Sequence, residues 1–297
     1  MRKIFLYLVL TLCLTSFVNA QEKSIILQGS TTVFPVAQRC AEEFIKENPG
    51  VSISVRGGGS GVGISALIDK VCDIANSSRP MKKEELKTAI SKGVDPKANV
   101  IANDAISVII NPSNPISNLT LSQIKDIYTG KISNWKELGG ENQKIVVVSR
   151  DTASGTFECF NEIVLKNEKV KPDALMQASN QAIINIVKRT KGAIGYVGLG
   201  YLSSDVKAVK VNGIYPSKET VLNGTYPISR VLFMYTNGTP KGLVKDFIDF
   251  VKSKKGQEIV KEEGFVPLEW RISFCYYKHP LKLRGCLFDI TGSFMII

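Results

Sequence analysis

The sequence is poor in the residues that most catalytic and metal sites require. Among its 297 residues there is a single histidine, His279, close to the C-terminus. A Ser-His-Asp or Cys-His catalytic group needs a histidine beside its nucleophile, and the rest of the chain contains none. The same count excludes histidine-based metal sites, so we expect neither a metal ion nor another cofactor.

Cysteines are few and widely spaced. There are six, and no pair of them has the CxxC spacing. Cys13 falls in a segment that we expect to be cleaved, which leaves an odd number in the mature chain. This pattern argues against a disulfide framework or a zinc site, although a single bridge between Cys40 and Cys72 stays open.

The N-terminus has no apolar run of the roughly 20 residues that a membrane-spanning helix needs. Its apolar stretch, residues 4–14, follows Arg2 and Lys3 and leads to small residues ending at Ala20. This layout is typical of a secretory signal peptide, which we assign to residues 1–20, and a membrane anchor is the alternative. We therefore expect a periplasmic or extracellular protein.

Basic residues outnumber acidic ones, 38 to 27, and the formal net charge is +11. A positive surface raises the local concentration of anions and speeds their arrival. There is no block of Lys and Arg and no basic helical stripe, so we expect no nucleic-acid partner.

Three strand-to-helix turns are rich in glycine and hydroxyl residues: 29–33, 57–63 and 149–157. Each follows an apolar strand and precedes a segment of helical periodicity. Such a turn directs unpaired backbone N–H groups and the positive end of a helix dipole at one point, which favours an anion. Each turn alone is equally well explained as an ordinary helix N-cap, and in the second turn we expect Ser60 to be the cap.

The third turn has the most side chains suited to an oxyanion. Arg150 carries a planar charged fork that can form two parallel hydrogen bonds to one anion. Ser154 and Thr156 add hydroxyl donors, and Gly155 lets the backbone approach a ligand closely. We interpret the three turns together as an anion-binding site.

Strands and helices alternate along residues 24–268, which predicts an α/β fold with parallel sheets. We expect minor strands at 206–211 and 221–222, and we interpret Trp135 as a buried structural residue. The composition changes at residue 269, and we interpret 269–297 as an appendage such as a frameshifted or read-through end. The alternative is an additional element packed on the body.

From about residue 24 to residue 268 the chain resembles the phosphate-binding proteins of phosphate ABC transporters, the PstS type of periplasmic substrate-binding protein. The resemblance rests on segments 29–33, 59–63, 111–115, 127–130 with 134–135, 150–156 and 192–196. It implies a two-lobe (Venus flytrap) α/β fold with two crossover segments, near Asn103 and at residues 226–230. Lobe 1 would comprise 21–103 and 230–268, and lobe 2 would comprise 104–229.

The resemblance also implies which residues bind phosphate. From the first lobe they are Thr32, the Val33 N–H, Ser60 and Ser78; from the second they are Arg150, Ser154, the Gly155 N–H and Thr156. The implied protein is a monomer without enzymatic activity. It would capture inorganic phosphate and deliver it to the permease and ATPase of an ABC importer.

One position departs from the family. Well-studied members have an aspartate at the position of Ser78, and its carboxylate accepts a hydrogen bond from the proton on phosphate. Asp104 or Asp151 is a candidate for that role here. Three alternatives remain: a receptor for sulfate, molybdate or another tetrahedral oxyanion, a secreted hydrolase with Ser154 or Ser60 as nucleophile, and an anion-sensing partner of a membrane kinase.

Overall fold

The computed structural model describes residues 23–268. The signal peptide assigned to 1–20, the appendage 269–297 and His279 lie outside the described residues. Within residues 23–268, no helix is both long and apolar enough to cross a bilayer.

The described chain alternates strands and helices, as its periodicity predicts. The strands are β1 (Lys23–Gly29), β2 (Val51–Gly58), β3 (Ile74–Ser77), β4 (Pro96–Ile110), β5 (Asn118–Leu119), β6 (Val146–Arg150), β7 (Leu175–Gln177), β8 (Ala193–Gly198), β9 (Lys207–Ala208), β10 (Lys210–Val211) and β11 (Ser229–Asn237). The α-helices are α1 (Phe34–Glu47), α2 (Ser60–Ile68), α3 (Lys83–Ser91), α4 (Leu121–Thr129), α5 (Gly155–Phe160), α6 (Asn180–Arg189), α7 (Lys218–Leu222), α8 (Gly242–Lys252) and α9 (Lys254–Glu262).

Nine of the strands form one sheet, in the order β2-β1-β3-β11-β4-β8-β6-β7, with β9 paired to β4. The outer parts are parallel, since β1 pairs with β2 and β3, and β6 pairs with β7 and β8. In the centre, β11 is antiparallel to both β3 and β4, and β4 is antiparallel to β8. The parallel pairing that the sequence predicts is therefore found in the outer parts, whereas the centre is antiparallel because β4 leaves one half of the molecule and β11 returns to it.

Strand β4 joins the two halves of the sheet. Residues 96–105 pair with β11, and residues 106–110 pair with β8. In the sequence, only the second part of this strand is marked by a continuous apolar run, 106–110 apart from Ser107. Its first part carries Lys97, Asn99, Asn103 and Asp104 among apolar residues, so no clear alternation marks it.

The buried apolar side chains form separate cores on the two sides of this crossing. Two clusters draw on residues 25–102 and 232–265. The other two draw on residues 105–228, with Val266 added. Trp135 belongs to the second group, is 1% exposed and donates from Nε1 to the Gly192 carbonyl at 3.0 Å, so its structural role is confirmed. The result is the two-lobe α/β fold that the resemblance implies.

Two local expectations are wrong. Residues 221–222 belong to α7 rather than to a strand, because Ser217 caps a short helix by accepting from the Thr220 N–H at 3.2 Å. The N-cap of α2 is Gly59, with a φ of 98°, and Ser60 is the first helical residue. The Ser60 hydroxyl is thereby free for contacts outside its own helix.

Cys40 and Cys72 are free thiols, so the bridge left open by the sequence is not formed. Cys40 packs in the core between β1, α1 and α8, whereas Cys72 packs in the core around α2. The two side chains therefore lie in different clusters.

Candidate functional site

The three glycine- and hydroxyl-rich turns meet between the two lobes. Thr32 Oγ1 in the first turn lies 3.0 Å from Thr156 Oγ1 in the third. The Gly61 N–H in the second turn donates to the Ala153 carbonyl in the third at 2.9 Å. Turns widely separated in the chain thus form one buried polar cluster.

In the first turn, Ser30 organises the backbone ahead of α1. Its Oγ accepts from the Thr32 N–H at 3.1 Å and from the Val33 N–H at 3.3 Å. The Val33 N–H is therefore engaged within its own turn. The Thr32 side chain is fully buried and faces the second lobe.

Ser60 and Ser78 form a hydroxyl pair on the first lobe. Ser60 Oγ accepts from the Ser78 N–H at 3.0 Å and lies 3.3 Å from Ser78 Oγ. Gly155 of the second lobe packs against this pair: a Cβ there would lie 2.4 Å from Ser60 Oγ and 2.8 Å from Ser78 Oγ. Only glycine permits this approach, so the pair and the Gly155 backbone define one wall of the cluster.

Arg150 ends β6, and its side chain is almost completely buried. Its Nε donates to the Gln177 carbonyl at 3.0 Å, and its Nη2 donates to the Ala178 carbonyl at 3.0 Å and to Thr31 Oγ1 at 3.2 Å. All these acceptors are neutral, and Nη1 is buried without a hydrogen-bond partner among residues 23–268. Burial lowers the pKa of Arg150, because the charged form loses hydration.

Ser154 and Thr156 begin α5. Ser154 Oγ accepts from the Phe157 N–H at 3.2 Å and so caps the helix, as an N-cap serine commonly does. Thr156 is 1% exposed and faces Thr32. The structure therefore brings six of the eight sequence-predicted residues together, with Arg150 connected through Thr31: Thr32, Ser60, Ser78, Arg150, Gly155 and Thr156. Val33 and Ser154 are their chain neighbours and form hydrogen bonds within their own turns.

Asn180, at the start of α6, is a member of the cluster that the sequence did not single out. Its Nδ2 donates to Thr31 Oγ1 at 3.2 Å and to Thr32 Oγ1 at 3.1 Å, and its Oδ1 accepts from the Gly198 N–H at 3.2 Å. A polar residue after Ser179 signals only a helix start. Its contacts depend on how the lobes meet.

Arg230 is the second missed residue. It lies opposite Asp104 in the β11–β4 ladder, and its Nε donates to Asp104 Oδ2 at 2.8 Å. Its Nη1 reaches the Ser78 carbonyl and its Nη2 reaches Thr32 Oγ1, both at 3.3 Å. An arginine directly before the apolar run 231–235 was the available signal, since a buried charge needs a partner.

Asp104 is fully buried and is already engaged by neighbouring donors. One oxygen accepts from Arg230, and the other accepts from the Leu199 N–H at 2.9 Å. Burial raises the pKa of the Asp104 carboxyl, and the positive charge of Arg230 opposes that rise. Asp151, the other candidate acceptor, receives the Ala153 N–H on Oδ1 at 3.0 Å.

An ion-pair cluster of Arg79, Lys82, Glu85 and Glu158 connects the lobes beside the hydroxyls. Arg79 binds Glu85 through two hydrogen bonds of 2.7 Å and also pairs with Glu158 of α5. Lys82 Nζ lies 2.5 Å from Glu158 Oε1. Because Glu158 lies in the second lobe and its partners in the first, these charges favour contact between the lobes.

The chemistry of the cluster suits recognition of an anion. The buried guanidinium groups of Arg150 and Arg230 lie at the cluster, whereas the one buried carboxylate there, Asp104, is already hydrogen-bonded. Hydroxyl and amide groups supply further donors. No group of three or more potential metal ligands occurs in the part of the chain that the structure describes. The hydroxyls of Ser60 and Ser154 bond to Ser78 and to the Phe157 N–H, rather than to a lysine or histidine that would activate a nucleophile.

Comparison with known proteins gives one consistent family. The PBP superfamily domain matches residues 18–255. The phosphate-binding protein PstS of Bacillus subtilis is 35% identical over 250 residues, which cover 82% of this chain and 81% of that protein. PstS of Borreliella burgdorferi is 34% identical over 260 residues, covering 84% of this chain and 91% of that protein.

Among solved structures, a putative phosphate ABC transporter substrate-binding protein of Clostridium perfringens with bound phosphate has a TM-score of 0.78. It is 39% identical in sequence, and the match covers 83% of this chain and 100% of that one. The two-lobe fold inferred from the sequence is confirmed by this similarity.

Proposed function

Because this chain belongs to the PBP superfamily, and within it to the PstS phosphate-binding proteins, we propose that it captures inorganic phosphate between its lobes and delivers it to an ABC importer. Its place would be outside the cytoplasmic membrane, after removal of residues 1–20. The partners would be the permease and the ATPase of the importer.

Arg150 is the observation on which this proposal chiefly depends. A buried guanidinium with neutral partners and an Nη1 group that has no hydrogen-bond partner among residues 23–268 is costly unless a negative charge neutralises it. A tetrahedral dianion fits this requirement, because it brings both the charge and several acceptor oxygens. Hydroxyl groups from both lobes supply further donors.

The proposed ligands are seven residues of the three turns together with Ser78, which follows β3. They are Thr32, the Val33 N–H, Ser60, Ser78, Arg150, Ser154, the Gly155 N–H and Thr156. We place lobe 1 at residues 21–103 and 230–268 and lobe 2 at 104–229, in agreement with the separate cores. Since both lobes hold one ligand, binding stabilises their closed arrangement, which a permease can recognise.

Binding rather than catalysis fits both the relatives and the site. The matched proteins are named for phosphate binding or transport. Candidate nucleophiles at the site contact hydroxyl and backbone groups, so no activated serine supports a hydrolase. Turnover of a chromogenic phosphate ester that disappears in Ser154→Ala would contradict this view.

Calorimetry of the mature protein with phosphate tests the proposal. We expect one-to-one binding, and we expect Arg150→Ala to lose about 3 kcal/mol, or about a hundredfold in Kd, because a desolvated anion loses a charged partner. Arg189→Ala is the matched control, since Arg189 lies exposed at the end of α6. No heat and no thermal shift with millimolar phosphate would rule the proposal out.

A receptor for sulfate or another tetrahedral oxyanion is the second candidate, because Ser78 supplies a hydroxyl rather than a repelling carboxylate. Competition between phosphate and sulfate across the neutral pH range separates the two, since only phosphate titrates there. Sulfate binding tighter than phosphate binding at every pH would favour this candidate.

A further inference from the structure

The Thr32 hydroxyl is surrounded by donors. Asn180 Nδ2 donates to Thr32 Oγ1 at 3.1 Å, and Arg230 Nη2 donates to the same oxygen at 3.3 Å. A hydroxyl has two acceptor lone pairs and one hydrogen. With both lone pairs engaged, Thr32 has only its hydrogen left to offer to a third group.

The orientation of Asn180 is itself fixed. Its Oδ1 accepts from the Gly198 N–H, so the amide nitrogen must be the atom that faces the threonines. The same nitrogen donates to Thr31 Oγ1, which also receives Arg150 Nη2. Arg230 is held in turn by Asp104 across the β11–β4 ladder.

The remaining direction of the Thr32 hydroxyl points into the cluster. Thr156 Oγ1, on the opposite lobe, lies 3.0 Å away along it. An anion bound between the lobes would therefore meet the Thr32 hydrogen and not a Thr32 lone pair. A ligand oxygen that carries a proton would find no acceptor there.

We propose that Asn180 and Arg230 are positioning residues that fix the Thr32 hydroxyl as a donor, so that this corner of the site requires a ligand oxygen without a proton. The inference rests on the proposed phosphate-binding function and adds a rule of selectivity to it. Phosphate in its more ionised form offers more such oxygens, so it is the preferred form.

Several other ionisable groups belong to the hydrogen-bond network that includes Thr31, Thr32 and Ser78, and their own titration must be separated from that of the ligand. These groups are Asp104 on β4, Arg150 on β6, Cys159 on α5, Tyr201 after β8 and Arg230 on β11. The variant Thr32→Val retains all of them and lacks only the hydroxyl. Its pH profile therefore reports the background against which the hydroxyl is judged.

The test is calorimetry with inorganic phosphate at about pH 6 and about pH 8.5, on the full chain after signal removal. We expect the protein to bind about fivefold tighter at the higher pH, because phosphate loses its second proton near neutrality. Asn180→Leu should weaken binding about tenfold at the higher pH and flatten the pH profile, since Thr32 regains a free lone pair. Asn185→Leu, on the exposed side of the same helix, should bind as the unmodified protein does.

A double-mutant cycle separates positioning from a general structural role. If Asn180 acts through Thr32, Asn180→Leu should have little further effect in the Thr32→Val background. The inference would be overturned if Asn180→Leu raised the Kd for phosphate by the same factor at both pH values, and if the losses of affinity from Asn180→Leu and Thr32→Val multiplied in the double variant. If the unmodified protein did not bind phosphate, the proposed function itself would be overturned.

Asn180→Asp serves if Asn180→Leu does not fold, because the carboxylate keeps an acceptor for the Gly198 N–H. It replaces the amide donor by an acceptor, so the Thr32 hydrogen turns away from the ligand. Its added charge acts equally with and without the hydroxyl. We expect Asn180→Asp to lose more phosphate affinity at high pH when Thr32 is present than in the Thr32→Val background. Equal losses of affinity in the two backgrounds would refute the positioning role.

Discussion

Replacing Gly155 with alanine should oppose the meeting of the lobes without changing any charge. The new Cβ would lie 2.4 Å from Ser60 Oγ, 2.8 Å from Ser78 Oγ and 3.0 Å from Ser60 Cβ. Rotation of a hydroxyl cannot relieve the contact with Ser60 Cβ, and the two hydroxyls are bound to one another. Relief therefore requires the lobes to separate by a substantial part of an ångström.

Overpacking of this kind costs about 1–3 kcal/mol, which corresponds to about a five- to hundredfold rise in the Kd for phosphate. The strain exists only where the lobes touch, so the melting temperature of the anion-free protein should change little. Gly61→Ala is the control, since its Cβ would meet Ala153 at an ordinary 3.5 Å across the same boundary. If Gly155→Ala bound phosphate as tightly as Gly61→Ala does, the reasoning from lobe contact would be refuted.

Three further predictions concern the surroundings of the site. Glu158→Gln removes ion pairs between the lobes, so it should weaken phosphate binding about three- to tenfold through faster release, and the effect should be smaller at high salt. Stopped-flow measurement of the release rate tests this, and an unchanged rate would contradict it. Burial raises the pKa of Cys40 and of Cys72 to about 12, so both thiols should resist alkylation at pH 8 until the protein is unfolded. Peptide mapping that finds fast labelling of Cys40 or Cys72 in the native protein would contradict this. Trp135→Phe should cost about 1–3 kcal/mol of unfolding free energy in urea and leave phosphate affinity intact, because it removes one of the two hydrogen bonds to the Gly192 carbonyl and leaves part of the buried indole volume unfilled. A loss of affinity with no loss of stability would be inconsistent with its structural role.

From the sequence, the fold class and the three turns that meet between the lobes can be predicted. The turns at 29–33, 57–63 and 149–157 are local patterns, and a glycine-hydroxyl turn between strand and helix has the same meaning wherever it occurs. Arg150 is recognisable because it lies within such a turn. In the folded protein the three turns meet between the lobes.

Other features depend on contacts that no local pattern reveals. Arg230 enters the cluster because β11 pairs with β4 in a register that sets it opposite Asp104. Asn180 enters it because the lobes approach one another at Thr31 and Thr32. The antiparallel centre of the sheet is likewise a consequence of topology. A strand of mixed polarity gave no alternation from which it could be predicted.

The passage of β4 through both lobes has a mechanical consequence. Its first ten residues are bonded to β11 and its last five to β8, so the connection between lobes is a hydrogen-bonded ribbon rather than a loose tether. Any swing of one half against the other must twist this ribbon, and its backbone bonds resist large angles. Opening should therefore be a limited elastic rotation with one preferred axis, which returns Thr32 and Thr156 to the same facing positions after each cycle of release.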